Sequence, residues 1–210
     1  MSARRRTRGT RSQKGQVRII GGTWRGRKLS VAELPGLRPS SDRVRETLFN
    51  WLSPYLSGAR SLDLFAGTGV LGFEALSRGA AHATLLDNDG SVVEFLRQHV
   101  EMLGAKNAQV IQDDAAAWLR SGSRSEFDIV FLDPPFGQQY IEAALLELAA
   151  GWLKRRAWVY LETEKIPILH LEAAPWQIIR RGQTAHVQFA LLEFNRLTDQ
   201  LSGLDVANPD

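Results

Sequence analysis

The chain has no cysteine, which excludes disulfide bonds, zinc–cysteine sites and thiol catalysis. Its four histidines lie far apart and lack the spacing typical of metal ligands, so we expect no metal site. No apolar run approaches the roughly 18 residues that a membrane-spanning helix needs, so we expect no membrane span. With 210 residues, 44% of them hydrophobic and 23% charged, the composition is that of a folded chain with one sizeable domain.

Acidic residues are missing from the amino-terminal end of the chain. Residues 1–28 contain ten Arg or Lys, the first acid is Glu33, and residues 29–210 carry a net charge of −7. A basic arm on an acidic body favours contact with a polyanion, although a solvated arm that only aids solubility would have the same composition. Residues 1–16 are polar and low in complexity, so we expect them to be disordered. No apolar core follows the arginines, and we therefore expect no secretory signal and a cytoplasmic location.

The pattern of apolar residues predicts secondary structure along the rest of the chain. The predicted units are a hairpin and helix over 17–56, alternating strands and helices over 57–196, and a tail over 197–210. Pro35-Gly36 predicts a turn in the first unit, and Ser41 or Asp42 can cap its helix. The predicted strands of the second unit are 62–65, 83–86, 110–111, 127–132, 157–161, 176–181 and 187–194. Its predicted helices are 71–78, 91–103, 115–119 and 140–153, with an exposed turn at 154–156.

Strands that alternate with helices predict an α/β fold whose open parallel sheet is covered on both faces. The last two strands have no helix between them. They therefore predict an antiparallel hairpin at one edge of the sheet.

A glycine-rich turn lies between the first strand and the first helix of the larger unit. Gly67, Gly69 and Gly72 form a G-x-G-x-x-G pattern, which lets the backbone approach a ligand closely and offers free N–H groups at the start of a helix. Asp87 follows Gly67 by twenty residues, at the end of the next strand, where its carboxylate can accept both hydroxyls of a ribose. Both NAD-type dinucleotides and S-adenosylmethionine share this geometry, so the turn alone leaves the cofactor open.

Asp63, at the end of the first of these strands, favours S-adenosylmethionine. Its carboxylate would repel the pyrophosphate of a dinucleotide, whereas S-adenosylmethionine has no phosphate and carries a cationic ammonium and sulfonium. Asp114 follows the third strand and can accept a hydrogen bond from an adenine amine. It can equally be the N-cap of the next helix, and one residue can serve both roles.

The tetrapeptide Asp133-Pro134-Pro135-Phe136 follows the fourth strand, where two prolines force a rigid turn beside the ligand crevice. An exocyclic base amine is a poor nucleophile because its lone pair is delocalised into the ring. If Asp133 and the carbonyl of Pro134 accept its hydrogens, the nitrogen can pyramidalise toward a methyl donor. Phe136 offers a flat surface on which an extruded base can stack. We therefore predict direct methyl transfer to a base amine, without a metal or a covalent intermediate.

Several further segments occur in an order that one family shares. They are 18–22 (RIIGG), 24–29 (WRGRKL), 37–39 (LRP), 42–51 (DRVRETLFNW) and 64–69 (LFAGTG). With the tetrapeptide, they make the chain from about residue 17 to 196 resemble the RsmD family, bacterial methyltransferases that act on guanine N2 of 16S rRNA. The amino-terminal segments single out this family, because the glycine-rich turn and Asp-Pro-Pro-Phe occur in many amine methyltransferases.

The resemblance implies a class I methyltransferase fold, a Rossmann-like seven-stranded sheet whose last strand is antiparallel, with a small amino-terminal extension. It implies S-adenosylmethionine as methyl donor and a guanine in the helix-31 loop of 16S rRNA, methylated in the assembled or partly assembled small subunit. The base would lie at 133–136. The implied cofactor contacts are Arg38, Ser40, Asp63, Phe65, Ala66, Gly67, Thr68, Gly69, Asp87, Asn88, Asp114 and Ala115. Ser40-Ser41 stands where threonines are common, and Asp87-Asn88-Asp89 where Glu is frequent; both departures keep the required groups.

The first hairpin combines basic residues with an aromatic one, as phosphate contact and base stacking require. The predicted RNA contacts are Arg18, Trp24, Arg25, Arg27 and Lys28. In the resemblance, residues 17–56 would also cover the cofactor. The alternative is a solvated hairpin with Trp24 packed on the body of the protein.

Other functions remain open on the residues alone. A DNA adenine or cytosine methyltransferase can use the same tetrapeptide, but 210 residues leave no room for a separate sequence-reading domain. A protein glutamine methyltransferase would more typically have Asn at position 133. An NAD-dependent oxidoreductase would leave Asp63 unexplained, and an inactive RNA-binding module would leave the intact cofactor site unexplained. We expect a monomer.

Overall fold

The computed structural model describes residues 15–31, 41–122, 127–134, 138–164, 175–185 and 187–196, without the side chains of 138 and 139. The predictions for residues 1–14 of the basic arm, for the Pro35-Gly36 turn and for the tail lie outside these residues. Gln16, expected to be the last residue of the disordered arm, is already part of a strand. Within the described part, no helix has the length and apolar character needed to cross a membrane.

The described residues form nine strands and five α-helices. The strands are β1 (Gln16–Arg18), β2 (Lys28–Ser30), β3 (Arg60–Asp63), β4 (His82–Asp87), β5 (Ala108–Gln112), β6 (Phe127–Leu132), β7 (Leu153–Thr163), β8 (Trp176–Gln183) and β9 (Gln188–Asn195). The helices are α1 (Asp42–Leu52), α2 (Val70–Ser77), α3 (Gly90–Leu103), α4 (Ala115–Arg120) and α5 (Gln138–Glu147). A 3₁₀ turn, Ser53–Tyr55, follows α1, and a π-helical turn, Leu148–Trp152, follows α5.

The amino-terminal hairpin and helix form as predicted. β1 and β2 pair antiparallel, with Val17 opposite Leu29 and both side chains buried. α1 begins after Ser41, whose hydroxyl accepts a hydrogen bond from the N–H of Val44. This contact satisfies one of the backbone donors that a helix start leaves unpaired.

The other seven strands form one sheet in the order β5-β4-β3-β6-β7-β9-β8. The strands from β5 to β7 run parallel to one another, whereas β9 is antiparallel to both β7 and β8. The last strand of the chain is therefore the antiparallel one, and it lies between two strands that precede it. This topology confirms the α/β fold, the antiparallel hairpin at one edge and the class I arrangement.

Each face of the sheet is covered by its own apolar core. One core joins the sheet to the hairpin, α1, α2 and α3, and it includes Phe131 and Tyr160. The other joins the sheet to α4 and α5, and it includes Val130 and Val159. Because side chains alternate along a strand, consecutive residues of β6 and β7 point to opposite cores. We call the side that carries the first core the α1 face.

The boundary between α5 and β7 differs from the prediction. β7 begins earlier than expected, so Lys154, Arg155 and Arg156 lie in a strand, and the predicted exposed turn was wrong. Lys154 Nζ lies 2.9 Å from a carboxylate oxygen of Asp128, and Arg156 Nε lies 2.5 Å from Oε1 of Glu193. These partners belong to β6 and β9, so the pattern of local charge could not reveal that a strand begins here.

A buried ionic network attaches the hairpin and α1 to α2. Glu74 is fully buried; its Oε1 accepts from the N–H of Gly21 at 2.7 Å and from Arg78 Nε at 2.7 Å, and its Oε2 accepts from the N–H of Ile20 at 2.8 Å. The fully buried Arg45 of α1 places Nη1 3.8 Å from Glu74 Oε2. Buried charges are stable only when they are paired and hydrogen-bonded, so these contacts hold the amino-terminal unit in one place against the sheet.

Candidate active site

Four carboxyl groups lie at one edge of the large sheet. Asp63 and Asp87 are the last residues of β3 and β4, Asp133 directly follows β6, and Glu162 is the second-last residue of β7. These four strands are parallel neighbours, so their carboxyl ends meet at one edge. That edge is where ligands bind in open α/β sheets.

The glycine-rich turn joins β3 to α2 at this edge. Gly69 is the N-cap of α2 and has φ 73° and ψ 6°, a left-handed conformation that favours glycine. A Cβ atom at Gly69 would lie 2.5 Å from side-chain carbons of both Leu96 and Phe73. Glycine is therefore required here by both the backbone conformation and the packing.

The carboxylate of Asp87 is oriented by the turn beside it. Its Oδ2 accepts from the N–H of Gly67 at 2.9 Å, and its Oδ1 accepts from the N–H of Asp89 at 3.0 Å. An ionised carboxylate can accept about four hydrogen bonds in all. Asp87 therefore keeps capacity to accept from the hydroxyls of a ligand.

Asp63 is a buried acid at the base of the crevice. It is 3% exposed, and its Oδ2 accepts from the N–H of Gly72 at 3.1 Å. Burial, with a smaller contribution from the charge of Asp87, raises the pKa of Asp63 to about 7, although the hydrogen bond from Gly72 opposes this. No lysine or arginine of the described ranges forms an ion pair with Asp63. A cationic ligand would therefore favour its charged form.

Asp133 and Glu162 lie side by side on neighbouring strands. β6 and β7 pair Leu132 with Leu161, and each acid is the next residue of its chain. Burial raises the pKa of Asp133 well above its usual range, and the charges of Glu162 and Asp63 raise it further. The acidic group at this turn is thus a strong proton acceptor once it is ionised.

Glu162 in turn accepts a hydrogen bond from Tyr160. The hydroxyl of Tyr160 lies 2.7 Å from Glu162 Oε2, and the two residues are 0% and 7% exposed. Burial and the charge of Glu162 raise the pKa of Tyr160 well above its usual value, so its hydroxyl keeps its proton and donates. Our sequence analysis missed this pair. The available signal was a tyrosine within the apolar stretch 157–161 and an acid directly after it, at the same edge as Asp63 and Asp133.

Part of the predicted site lies outside the described residues. Asp133 and Pro134 are described, and Pro134 is buried. Pro135 and Phe136 of the tetrapeptide are not among the described residues, nor are Arg38 and Ser40.

The remaining predicted cofactor residues have different environments. Asp114 is exposed and is the N-cap of α4, because its Oδ1 accepts from the N–H of Ala117 at 2.9 Å; the structural role proposed for it is therefore present. Of the others, Ala66, Thr68 and Ala115 are buried, Phe65 is partly buried and Asn88 is exposed.

The hairpin residues predicted to contact RNA lie away from the carboxyl edge. The N–H of Trp24 donates to the hydroxyl of Ser77, the last residue of α2, at the end opposite the glycine-rich turn. Arg27 donates to the carbonyl of Met102, near the corresponding end of α3. Trp24 is partly buried against the core of the α1 face, so part of its ring packs on the body of the protein.

The other basic residues of the hairpin are exposed. Arg18, Arg25 and Lys28 all lie at the surface, and Arg18 Nε pairs with Asp42 Oδ2 at 2.8 Å. The residues predicted to contact RNA therefore all lie on the hairpin, apart from the crevice at the carboxyl edge of the sheet.

The sheet topology, the glycine-rich turn and the acidic carboxyl edge together define a class I methyltransferase. The solved structure of the Escherichia coli protein yhhF has a TM-score of 0.78 and 45% identity, and the match covers 86% of this chain and 99% of that one. The Haemophilus influenzae protein HI0767 has a TM-score of 0.74 and 41% identity, with coverage of 86% and 99%. A precorrin-6y C5,15-methyltransferase from Geobacter metallireducens, at a TM-score of 0.63 and 14% identity over 80% of this chain and 94% of that one, shares the fold alone.

Comparison of sequences identifies the family. The family described as conserved hypothetical protein 95 matches residues 17–193. Ribosomal RNA small subunit methyltransferase D of Escherichia coli K12 is 45% identical over 183 residues, which are 87% of this chain and 92% of that protein. The protein of the same name from Haemophilus influenzae is 44% identical over 188 residues, 88% of this chain and 97% of that protein. The chain belongs to the RsmD family, which confirms the resemblance seen in its motifs.

Proposed function

We propose that the protein transfers a methyl group from S-adenosylmethionine to the N2 amine of one guanine in the 16S rRNA of the small ribosomal subunit. The observation that carries this proposal is the pair of acids at the carboxyl ends of adjacent strands, the buried Asp63 and the partly buried Asp133. One acid suits a cationic cofactor and the other an amine. The names of the relatives, which specify ribosomal RNA of the small subunit, support the choice of substrate.

The carboxyl groups at the crevice fit S-adenosylmethionine. Asp63 would pair with its positive charge, and Asp87 would accept from its ribose hydroxyls. Among the described residues, no Lys or Arg forms an ion pair with Asp63, so its charge is left for a cationic ligand. When bound, this cofactor supplies an electrophilic methyl group. The further proposed contacts are Arg38, Ser40, Phe65, Ala66, Gly67, Thr68, Gly69, Asn88, Asp114 and Ala115.

The tetrapeptide would hold the acceptor base. Asp133 and the carbonyl of Pro134 would accept the two hydrogens of the amine. Pro135 would stiffen the turn, and Phe136 would stack on the extruded base. With both hydrogens held in this way, the lone pair of the amine nitrogen would be free to attack the methyl group of a bound donor. The proton of the amine then passes to water or to Asp133, whose raised pKa suits it as a proton acceptor.

Residues 17–56 would bind the surrounding RNA and cover the cofactor, and residues 57–196 would be the catalytic domain. Phosphate contacts from Arg18, Arg25, Arg27 and Lys28, with Trp24 among them, would use the exposed side of the hairpin. The tip of the hairpin contacts the last residue of α2, at the end away from the glycine-rich turn. These contacts would therefore reach RNA that flanks the target base and not the target base itself. We propose that the enzyme acts as a monomer in the cytoplasm on a whole or partly assembled small subunit.

The proposal is tested by supplying labelled S-adenosylmethionine with small subunits from a strain that lacks this gene. We expect label in N2-methylguanosine at one site of 16S rRNA. Subunits from the parent strain, which already carry the modification, are the matched control and should take up little label. Label in another nucleoside, or acceptance by DNA or protein in place of the subunit, would contradict the proposal.

A further inference from the structure

Tyr160 and Glu162 form a buried polar pair that the proposed methyl transfer leaves without a task. The pair lies two residues apart on β7, so both side chains are on the same face of the sheet. Tyr160 belongs to the core of the α1 face, and its hydroxyl donates to Glu162 Oε2 at 2.7 Å. A buried acid with a fixed donor on one oxygen has a defined orientation.

The register of the sheet puts Glu162 beside the acceptor site. Asp63 is paired with Phe131, and Phe131 with Tyr160, so these three residues form one row across β3, β6 and β7. Two residues further along β6 and β7 are Asp133 and Glu162, again on the α1 face. Neighbouring strands are about 4.8 Å apart, so the two carboxyl groups are adjacent. The influence of Glu162 on the pKa of Asp133 reflects this proximity.

On the side away from Asp133, the strand neighbour of Glu162 is apolar. On its far side β7 pairs Glu162 with Phe189 of β9, whose ring lies 5.5 Å from that of Trp51. The charge of Glu162 raises the pKa of both Tyr160 and Asp133, which agrees with the close approach of the three groups that the register indicates.

Two adjacent acceptors match the edge of one nucleobase. Guanine presents N1–H directly beside its N2 amine, so it offers two neighbouring donors. Adenine and cytosine instead present a ring nitrogen with a lone pair beside their amine, and a carboxylate would repel it. We propose that Glu162 is a specificity-determining residue, whose carboxylate accepts the N1–H of the target guanine while Asp133 accepts a hydrogen of N2. This inference rests on the proposed function and names the group that selects its base.

The test compares two acceptor bases that have the same amine. Small subunits are reconstituted with 16S rRNA that carries either guanine or 2-aminopurine at the target position. 2-Aminopurine keeps the N2 amine but has a lone pair at N1. We expect the wild-type enzyme to prefer guanine in kcat/KM on the order of 10- to 100-fold, the range for a good hydrogen-bonded base contact. Glu162→Gln should lower the rate on guanine and bring the ratio close to one, because its amide can donate to N1 of 2-aminopurine.

Three controls accompany this comparison. Glu193→Gln changes an acid of β9 that pairs with Arg156 and should leave the ratio at the wild-type value. Affinity for S-adenosylmethionine, measured for each variant, reports whether the fold is intact. If Glu162→Gln fails to bind the cofactor, Tyr160→Phe replaces it; losing the hydroxyl that orients Glu162 should also lower the ratio.

The outcomes separate this inference from the proposed function. If Glu162→Gln keeps the wild-type ratio of kcat/KM between guanine and 2-aminopurine, including by losing activity equally on both bases, the role of Glu162 is overturned while the proposed function stands. A wild-type enzyme that binds the cofactor but methylates neither subunit overturns the proposed function itself.

Discussion

Asp63 is held in an environment that opposes its charge. Its pKa of about 7, against 3.8 for the ordinary group, corresponds to roughly 4 kcal/mol of preference for the neutral form. In the ligand-free protein the folded state therefore binds this proton more tightly than the unfolded chain does, and its protonation stabilises the fold as the pH falls from about 7 toward 3.8. A cationic ligand reverses the preference, because it stabilises the ionised carboxylate.

We expect the affinity for S-adenosylmethionine to fall as the pH decreases below about 7, because the proton competes with the cationic ligand for Asp63. Well below that pH the loss should approach tenfold per pH unit. Asp63→Asn should bind weakly and with little dependence on pH. Calorimetric titrations between about pH 5.5 and 7.5 measure both slopes. The same slope in the wild type and in Asp63→Asn would assign the pH dependence to another group.

At the scale of elements, the buried acid Glu74 connects the hairpin, α1 and α2. Glu74 of α2 accepts hydrogen bonds from the hairpin N–H groups of Ile20 and Gly21 and lies near Arg45 of α1. The amino-terminal unit is therefore attached through a charge that water does not reach. Such an attachment is strongly weakened when one partner is removed.

Glu74→Gln should lower the free energy of unfolding by about 3 kcal/mol, because the amide turns a donor toward backbone N–H groups and removes one of the two anionic partners, Asp42 and Glu74, that pair with the buried Arg45. Glu94→Gln is the matched control; Glu94 is exposed on α3, and its replacement should change stability by less than about 0.5 kcal/mol. Urea denaturation measures both values. Equal stability of the two variants would mean that Glu74 does not hold the unit in place.

Local patterns predicted most of the elements, whereas contacts across the sheet decided what was missed. The turn at Gly67–Gly69 and the cap of α1 depend on a few neighbouring residues, so the sequence predicted the turn and limited the cap to Ser41 or Asp42, of which Ser41 is the cap. Lys154–Arg156 were assigned to a turn because their partners come from β6 and β9. Glu162 was missed for the same reason, since only the register of β6 and β7 places it beside Asp133.

At the scale of the whole molecule, charge is distributed unevenly. The basic hairpin packs on the C-terminal ends of α2 and α3, while the acids are at the carboxyl edge of the sheet. A polyanion would be repelled by the carboxyl edge and attracted by the hairpin. The two surfaces would thus have separate tasks, with the hairpin binding the subunit and the carboxyl edge performing the chemistry.

Replacing Arg25 and Arg27 with Ala should weaken binding to the small subunit, because two phosphate contacts are lost. The slope of log affinity against log salt concentration should become shallower by roughly one to two units. The matched control replaces Arg120 and Arg155, two exposed arginines of α4 and β7, with Ala. It removes the same charge and should leave the slope nearly unchanged. Binding measured over a series of salt concentrations gives both slopes, and equal slopes for the two double variants would refute a specific role for the hairpin.

The most direct test of the account is methyl transfer by Asp133→Ala, measured together with its affinity for S-adenosylmethionine. We propose that Asp133 contacts the acceptor amine and Asp63 the cofactor, so the two activities should separate. We predict that transfer to small subunits falls by at least about a hundredfold while the cofactor affinity stays within a few-fold of the wild type. Equal loss of transfer and binding, or transfer at the wild-type rate, would contradict the assignment of the acceptor site to this turn.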